Sequence, residues 1–280
     1  MFRWQFLRQF LLRATVGGVL CLGSCKAPGT MPPSPMDSRS EATIPITLSA
    51  AASLQDVLIP LEAAYQDLEP AVEITYNFGS SGSLAQQIIQ GAPVDVFLSA
   101  SPEWLDTLET QGHLLQNSRQ ALVNNSMVLV VPHDPQGQTV NGQTVTGFQD
   151  LSRAHRIAMG EPESVPAGAY AQEVLMTLNL YEGLKPKLVF GKSVRHVLAY
   201  VETGNVDAGL VYGTDALISQ RVEVVATAPD HSHSAITYGA AVVNGRAQTA
   251  AAQDLVRFLG SAAALDIFEQ HGFVAVESDG

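Results

Sequence analysis

Residues 72–100 read VEITYNFGSSGSLAQQIIQGAPVDVFLSA, and their pattern decides the fold class. Every second residue from Val72 to Phe78 is apolar, as expected of a half-buried strand. Apolar residues then recur at helical spacing from about Ser83 to Gly91, and residues 95–100 form a second apolar run. A strand, a helix and another strand in this order predict an α/β fold with a parallel sheet.

The same alternation extends in both directions along the chain. Residues 44–50 predict a strand, and the next helix is predicted to begin at Ser53, with Asp56 completing a capping box, and to end before Pro70. Ser101 and the proline that follows it form a further predicted helix start. The remaining strands are predicted at 122–131, 156–160, 187–190, 207–212, 222–226 and 235–243. The remaining helices are predicted at 169–178, 194–203, 247–259 and 262–271, and residues 134–147 are predicted to form a loop or hairpin.

The first residues have the composition of an export signal. Three arginines precede and interrupt an apolar stretch at 11–22, which is too short to span a bilayer comfortably. We therefore predict a signal peptide at 1–24 and an extracytoplasmic mature protein.

The signal ends in the sequence LGSC at 22–25, which is similar to the lipobox of bacterial lipoproteins. We predict that Cys25 becomes the lipidated N-terminus and anchors the protein to the membrane. Residues 25–42 are rich in Pro and Ser and are predicted to be a flexible tether. A simple secretory signal with an incidental cysteine is the alternative.

Charge and cysteine content exclude several classes of function. The formal net charge is −12, and removal of the signal peptide would lower it further because the peptide carries three arginines and no acid. So acidic a surface argues against nucleic-acid binding. Cys21 would be removed with the signal and Cys25 lipidated, so the mature domain would contain no cysteine for a disulfide, a metal site or a nucleophile.

Small, hydroxyl-bearing or glycine residues stand at four predicted strand-to-helix junctions. These are AAAS at 50–53, FGSSGS at 78–83, VPAG at 165–168 and GKSV at 191–194. Such junctions line the crevice at the carboxyl ends of the strands, where free backbone N–H groups and helix dipoles favour anions. Each junction alone is usually a simple helix cap. Four in one chain indicate an anion-binding crevice.

Six blocks of the sequence, in this order, resemble the periplasmic molybdate-binding proteins of ABC transporters. The blocks are SAAASLQDVL (49–58), FGSSGSLAQQIIQGAPVDVFLSA (78–100), NNSMVLVVP (124–132), EPESVPAGAYAQEVL (161–175), SVRHVLAYVETGNVDAGLVYGTDA (193–216) and FEQHGF (268–273). The resemblance implies a two-lobed type II periplasmic-binding-protein fold with the ligand cleft between the lobes. Lobe 1 would comprise 43–124 and the returning segment 230–280, and lobe 2 would comprise 125–229.

The resemblance also implies a set of ligand contacts. Ser53 would bind the oxyanion through its hydroxyl and its N–H, and Ser81 would supply a second contact. Ala167 and Val194 would bind through main-chain N–H groups and Tyr212 through its phenol. The protein would capture molybdate, and tungstate, without touching the metal atom, and would deliver the oxyanion to an ABC permease and its ATPase. It would act as a monomer, need no cofactor and catalyse no reaction.

The chemistry of these groups agrees with such a ligand. A doubly ionised tetrahedral oxyanion only accepts hydrogen bonds, so a pocket of donors satisfies it, whereas a protonated oxyanion such as hydrogen phosphate turns an O–H toward other donors. Sulfate has the same charge and shape, so the preference for molybdate rests on the resemblance. Two alternatives stay open: a receptor for sulfate, thiosulfate or another oxyanion, and an oxyanion-sensing lipoprotein without a transport partner.

Other polar residues allow two interpretations each. Arg195 could pair with the anion or brace its lobe. His231 and His233 could hold a metal, but the Ser-rich sequence around them favours a solvated loop. GSSG at 79–82 is not the nucleophile elbow of serine hydrolases, and His196 has no acidic partner in its pattern, so an enzyme is not predicted.

Overall fold

The fold is described from a computed structural model for residues 43–133 and 145–276. The predicted signal peptide, Cys25, the tether and most of the predicted loop at 134–147 lie outside these ranges. The strands are β1 Ile44–Ala51, β2 Val72–Gly79, β3 Val96–Ser99, β4 Gln120–Asn125, β5 Met127–Pro132, β6 Ile157–Gly160, β7 Leu188–Gly191, β8 Ala208–Tyr212, β9 Val222–Thr227, β10 Ile236–Val242 and β11 Val274–Ala275. The helices are α1 Gln55–Gln66, α2 Ser81–Ile89, α3 Pro102–Thr110, α4 Pro166–Thr177, α5 Tyr181–Leu184, α6 Val194–Glu202, α7 Gly213–Leu217, α8 Thr249–Leu259 and α9 Ala262–Gln270.

The first sheet has the strand order β11-β4-β10-β3-β1-β2. Strands β1, β2 and β3 are parallel, whereas β10, β4 and β11 continue the sheet in antiparallel pairs. Ala51 at the end of β1 pairs with Gly79 at the end of β2. The segments that follow these two strands therefore begin side by side at one edge of the sheet.

The second sheet has the order β7-β6-β8-β5-β9. Strands β7, β6 and β8 are parallel, and β5 lies antiparallel between β8 and β9. Gly160 pairs with Gly191, so the carboxyl ends of β6 and β7 are also adjacent. Each sheet thus gathers the ends of its parallel strands at one edge, where an α/β fold binds ligands.

Strand β3 shows how helices cover both faces of the first sheet. Its Val96 and Leu98 side chains join one hydrophobic core. Phe97, which points to the other face, joins a second core with Leu84 of α2 and Leu105 of α3. A central parallel strand that is buried on both faces is a near-continuous apolar run, as this one is.

The single strand predicted at 122–131 is wrong, because the structure divides it into β4 and β5, which belong to different sheets. The division falls at Ser126, whose N–H donates to the Asn125 side-chain oxygen at 2.9 Å. Its carbonyl accepts from the Gly213 N–H, also at 2.9 Å. The chain crosses from the first sheet to the second at this point, and it returns between β9 and β10.

The predicted capping box at Ser53 is also wrong. Residues Ala52–Leu54 form a 3-10 turn, α1 begins only at Gln55, and neither start has a side-chain cap. Helix α1 ends at Gln66, in agreement with the prediction that it ends before Pro70. By contrast, the predicted cap at Ser101 is confirmed, since its side chain accepts from the Glu103 N–H.

The start of α4 packs directly on the end of β6. A methyl group added to Gly168 would overlap the carbonyl group of Gly160, so only glycine allows this close approach. Gly183 in α5 is a useful contrast, because a methyl group there would have no neighbour within 4 Å among the described residues. The position of the α4 N-terminus therefore depends on the absence of a side chain at Gly168.

We expect Gly168→Ala to lower the free energy of unfolding by about 1–3 kcal/mol, because α4 must move away from β6. The matched control Gly183→Ala should leave it unchanged or raise it by about 0.5–1 kcal/mol, since alanine is favoured over glycine in a helix. Urea denaturation followed by circular dichroism measures both. Equal stability of the Gly168→Ala variant and the wild type would contradict the close packing.

Candidate functional site

The five predicted contact residues all lie where a strand ends or a helix begins. Ser53 lies in the 3-10 turn after β1, Ser81 and Val194 are the first residues of α2 and α6, Ala167 is the second residue of α4, and Tyr212 ends β8. All five are buried. The first-turn N–H groups of a helix have no partner within the helix and lie at the positive end of its dipole. These residues therefore place hydrogen-bond donors at the carboxyl ends of strands that belong to two different sheets.

A buried tyrosine of β10 connects Ser53 with Tyr212. The hydroxyl groups of Tyr238 and Ser53 are 2.8 Å apart. The rings of Tyr238 and Tyr212 meet edge to face, with their centroids 5.9 Å apart. The structure thus brings a predicted contact from the first sheet close to one from the second.

A second contact joins a segment that follows a strand of the first sheet to a segment that follows a strand of the second sheet, and it involves Gly82. Its N–H donates to the Ser164 carbonyl at 3.0 Å, next to Ser81 on one side and near Ala167 on the other. A methyl group on Gly82 would overlap this carbonyl and the ring of Trp104. Glycine at this position therefore allows the start of α2 to contact the loop that leads into α4.

The Ser81 hydroxyl is arranged as a hydrogen-bond donor. The Ala100 N–H donates to the Ser81 oxygen at 2.9 Å. Because this bond occupies a lone pair and an N–H cannot accept, the hydroxyl hydrogen of Ser81 is left to bind another acceptor.

The hydroxyl of Tyr212 is buried and has no hydrogen-bond partner among the described residues. Buried polar groups normally have a partner, since an unsatisfied one costs about 1–3 kcal/mol. Burial also raises the pKa of the Tyr212 phenol well above 10, with Tyr238 adding to the shift. The group therefore stays protonated and can donate to an acceptor in the site.

Arg195 is the cation closest in sequence to the site, and two acidic side chains contact its guanidinium group. Its guanidinium lies 2.6 Å from Asp56 of α1 and 2.6 Å from Asp215 of α7. It also donates to the Ser53 carbonyl at 3.4 Å. Of the two interpretations of Arg195, the structure favours the brace, which joins α6 to the start of α1 and leaves the contact set uncharged.

The histidines singled out in the sequence, His196 and His233, each contact a neighbouring residue in the structure. Within the described ranges, His, Cys, Asp and Glu side chains form no group of three or more that could hold a metal ion. His233 Nδ1 lies 2.7 Å from the Ser234 carbonyl oxygen. His196 Nδ1 lies 3.0 Å from the Ser193 hydroxyl, which caps α6.

Two polar residues of the cluster, Tyr238 and Asn125, were missed from the sequence. Tyr238 lies in a strand that was predicted from its apolar residues. A tyrosine in such a strand is usually a core residue, so it gave no indication of a binding role. The Asn125 side chain donates to the Thr214 hydroxyl at 2.8 Å and to the Tyr238 hydroxyl at 3.3 Å. A tyrosine within an apolar strand and an asparagine at a strand end were the available signals, and both are too common to single out.

Two sheets, each with parallel strands that end beside helix starts, are an architecture typical of solute-binding proteins. The chain belongs to the bacterial extracellular solute-binding protein family, whose model matches residues 46–274. This membership confirms that the protein binds a solute and is not an enzyme. Across residues 43–133 and 145–276, every helix is too short or too polar to cross a lipid bilayer.

Individual relatives confirm the resemblance found in the sequence. The chain is 44% identical over 237 residues to YvgL of Bacillus subtilis, assigned as an ABC transporter substrate-binding lipoprotein, with 84% of this chain and 88% of the relative covered. It is 38% identical over 228 residues to the molybdate-binding protein ModA of Escherichia coli, with 81% and 88% covered. The solved periplasmic molybdate-binding protein of Azotobacter vinelandii, 23% identical, has the same fold, with a TM-score of 0.69 over 83% of this chain and 100% of that one.

The Asp215 carboxyl is fully buried, and burial raises its pKa from 3.8 to about 7, while Arg195 opposes the shift. The folded protein therefore holds this proton more tightly than the unfolded chain does. The stability that Asp215 contributes is fully present below pH 3.8 and is lost as the pH rises toward about 7.

We expect Asp215→Asn to remove this dependence. Over that window the free energy of unfolding of the variant should fall less steeply with pH than that of the wild type, by at most about 1.4 kcal/mol per pH unit. Urea denaturation at several pH values measures the slopes. Asp266→Asn, which removes an exposed carboxyl of α9, should keep a slope close to the wild type. A wild-type slope in Asp215→Asn would show that the buried carboxyl takes up no proton on folding.

Proposed function

We propose that this protein is the substrate-binding component of a molybdate ABC importer and captures the oxyanion between two lobes. Lobe 1 comprises 43–124 and 230–280, and lobe 2 comprises 125–229. The observation that carries the proposal is the buried Tyr212 hydroxyl, which has no hydrogen-bond partner among the described residues and lies close to other uncharged polar groups. The molybdate-binding relative from E. coli supports the choice of ligand.

Five residues form the proposed binding site. Ser53 and Ser81 donate from lobe 1 through their hydroxyl groups, Ala167 and Val194 donate from lobe 2 through their backbone N–H groups, and Tyr212 completes the cage with its phenol. Because these groups are neutral, the dianion keeps its charge and is stabilised by hydrogen bonds alone. The contacts between the two sheets support a closed form in which all the donors converge.

Selection among oxyanions follows from the number of hydrogens that the ligand carries. Molybdate, tungstate and sulfate are fully ionised at neutral pH and only accept hydrogen bonds, whereas hydrogen phosphate carries an O–H that would face other donors. Sulfate is smaller than molybdate, so a rigid cage contacts it less well. Tungstate is so close to molybdate in size that the site accepts both.

Transport requires that the ligand-bound protein differ in conformation from the ligand-free protein, so that the permease can distinguish them. An oxyanion that contacts both lobes stabilises the closed form, since only closure assembles all the donors. The closed monomer then docks on the permease, and the ATPase drives release of the oxyanion. The protein itself stays outside the cytoplasm, held at the membrane by lipidated Cys25.

Isothermal titration calorimetry at pH 7 tests the ligand. We expect similar dissociation constants for molybdate and tungstate, weaker binding of sulfate, and little or no binding of phosphate, for the reasons of charge, size and protonation given above. Tighter binding of sulfate than of molybdate would make the protein a sulfate receptor. No binding of any of the four oxyanions would reject the proposed site.

The same calorimetric titration tests whether the Tyr212 phenol contacts the ligand. Tyr212→Phe should weaken molybdate binding by about 1.5–3 kcal/mol, the value of a hydrogen bond to a charged group. The matched control Tyr200→Phe removes a half-exposed hydroxyl from α6 and should keep the wild-type affinity. Unchanged affinity in Tyr212→Phe would remove this residue from the site.

Lipidation of Cys25 is supported by the LGSC sequence and by the assignment of the B. subtilis relative as a lipoprotein. We expect Cys25→Ser to move the protein from the membrane fraction to the soluble extracytoplasmic fraction, because the proposed lipid attachment is lost. Cys21→Ser changes the other cysteine of the same signal and should leave the protein on the membrane. Fractionation with mass spectrometry of the mature N-terminus measures both, and membrane retention of Cys25→Ser would refute the anchor.

A further inference from the structure

We infer that Asn125 and Tyr238 form a hydrogen-bond relay that turns the Ser53 hydroxyl into an obligate donor toward the ligand, which makes both residues determinants of specificity. The inference rests on the proposed function, because it assigns a role to residues behind one of the proposed ligand contacts. Neither residue belongs to the predicted contact set.

The relay begins at the point where the chain crosses between the sheets. The Ser126 N–H donates to the Asn125 side-chain oxygen at 2.9 Å. An N–H can only donate, so this bond determines which way the amide group of Asn125 points. Its NH₂ group therefore faces the hydroxyls of Thr214 and Tyr238, at 2.8 Å and 3.3 Å.

The direction of the next bond follows from counting hydrogens. The Asn125 NH₂ group cannot accept, so the Tyr238 oxygen is the acceptor of that bond. Tyr238 is fully buried, and its pKa is raised by that burial, so it keeps its hydrogen. The Ser53 oxygen, 2.8 Å away, is the only other hydrogen-bond partner of the phenol among the described residues. Tyr238 therefore donates to Ser53.

Ser53 is then left with one free hydrogen. Its oxygen receives the hydrogen of Tyr238, so its own O–H is available to an acceptor outside the relay. Ser81 is arranged in the same way by a different donor, the Ala100 N–H. Both serine hydroxyls of the proposed site thus present hydrogens, as an acceptor-only dianion requires.

The relay explains how a hydroxyl, which can donate or accept, discriminates between ligands. A free serine could rotate and accept from the O–H of a protonated oxyanion. A serine whose oxygen already receives a hydrogen bond from Tyr238 does so less readily. The ring of Tyr238 is held by edge-to-face contacts with Tyr212 and Phe273, with centroids at 5.9 Å and 5.3 Å, so these contacts fix the position of its hydroxyl.

A double-mutant cycle tests the relay by calorimetry with molybdate. Tyr238→Phe keeps the ring and should weaken binding about three- to tenfold, because Ser53 loses its donor and becomes free to rotate. Ser53→Ala should weaken binding by at least as much. The double variant should bind like Ser53→Ala alone, because Tyr238 acts only through Ser53.

A charge substitution tests the direction of the relay. Asn125→Asp replaces the NH₂ donor by an oxygen acceptor, so Tyr238 would donate to Asp and accept from Ser53, whose hydrogen would no longer reach the ligand. We expect a loss of tenfold or more in affinity, on the order of one hydrogen bond to a charged group. Asn124→Asp is the matched control: it adds the same charge one residue away and keeps the oxygen that accepts from the Thr237 hydroxyl. The loss of molybdate affinity in Asn124→Asp should be clearly smaller than the loss in Asn125→Asp.

The outcomes separate the relay from the function on which it rests. Wild-type binding of molybdate, with an effect of Tyr238→Phe that disappears in the Ser53→Ala background, supports both. An unchanged affinity in Tyr238→Phe, an equal loss in both backgrounds, or equal losses in Asn124→Asp and Asn125→Asp would overturn the relay while the transport function stands. Failure of the wild type to bind any oxyanion would overturn the proposed function and the relay with it. Melting temperatures of each variant show whether it is folded.

Discussion

A buried polar group without a hydrogen-bond partner is costly, and the arrangement of both sheets places such a group, the Tyr212 hydroxyl, close to the other proposed ligand contacts. The parallel strands of each sheet end at a common edge, and the helix starts that follow carry N–H groups without intrahelical partners. Ser53 and Tyr212, from different sheets, meet around Tyr238. The unsatisfied hydroxyl of Tyr212 is the clearest sign of this constraint, because no group among the described residues forms a hydrogen bond with it.

The charged groups near the proposed site are distinct from the neutral groups proposed to bind the ligand. The chain carries a formal net charge of −12, and Arg195 beside the site is balanced by Asp56 and Asp215. This net charge does not favour long-range attraction of an anion, so the proposed oxyanion site depends on short-range donors whose directions are set in advance. Arg195 instead connects α6 with α1 and with the Ser53 carbonyl, so its charge holds the site together.

Much of the fold could be predicted from the sequence, because the relevant signals are local. The alternation of apolar and polar residues predicted β2, and the serine and proline at 101 and 102 predicted the start of α3. Both signals are local, because strand periodicity and helix capping depend on neighbouring residues. The strand predicted at 122–131 failed because a continuous apolar run carries no mark of the sheet to which each half belongs. The cap predicted at Ser53 failed because its hydroxyl is bonded to Tyr238, a residue 185 positions away.

The sequence by itself determined the α/β class, the membership of the solute-binding family and the candidate contacts at the strand ends, because each is expressed in contiguous residues. The tertiary structure alone decided that Arg195 is a brace, that Asn125 and Tyr238 lie behind Ser53, and that the Tyr212 hydroxyl has no partner in the part of the chain that the structure describes. These properties depend on which groups from distant parts of the chain meet in the buried region. Hydrogen bonds and ion pairs require contact within about 3–4 Å, and no pattern along a single strand or helix specifies such contacts.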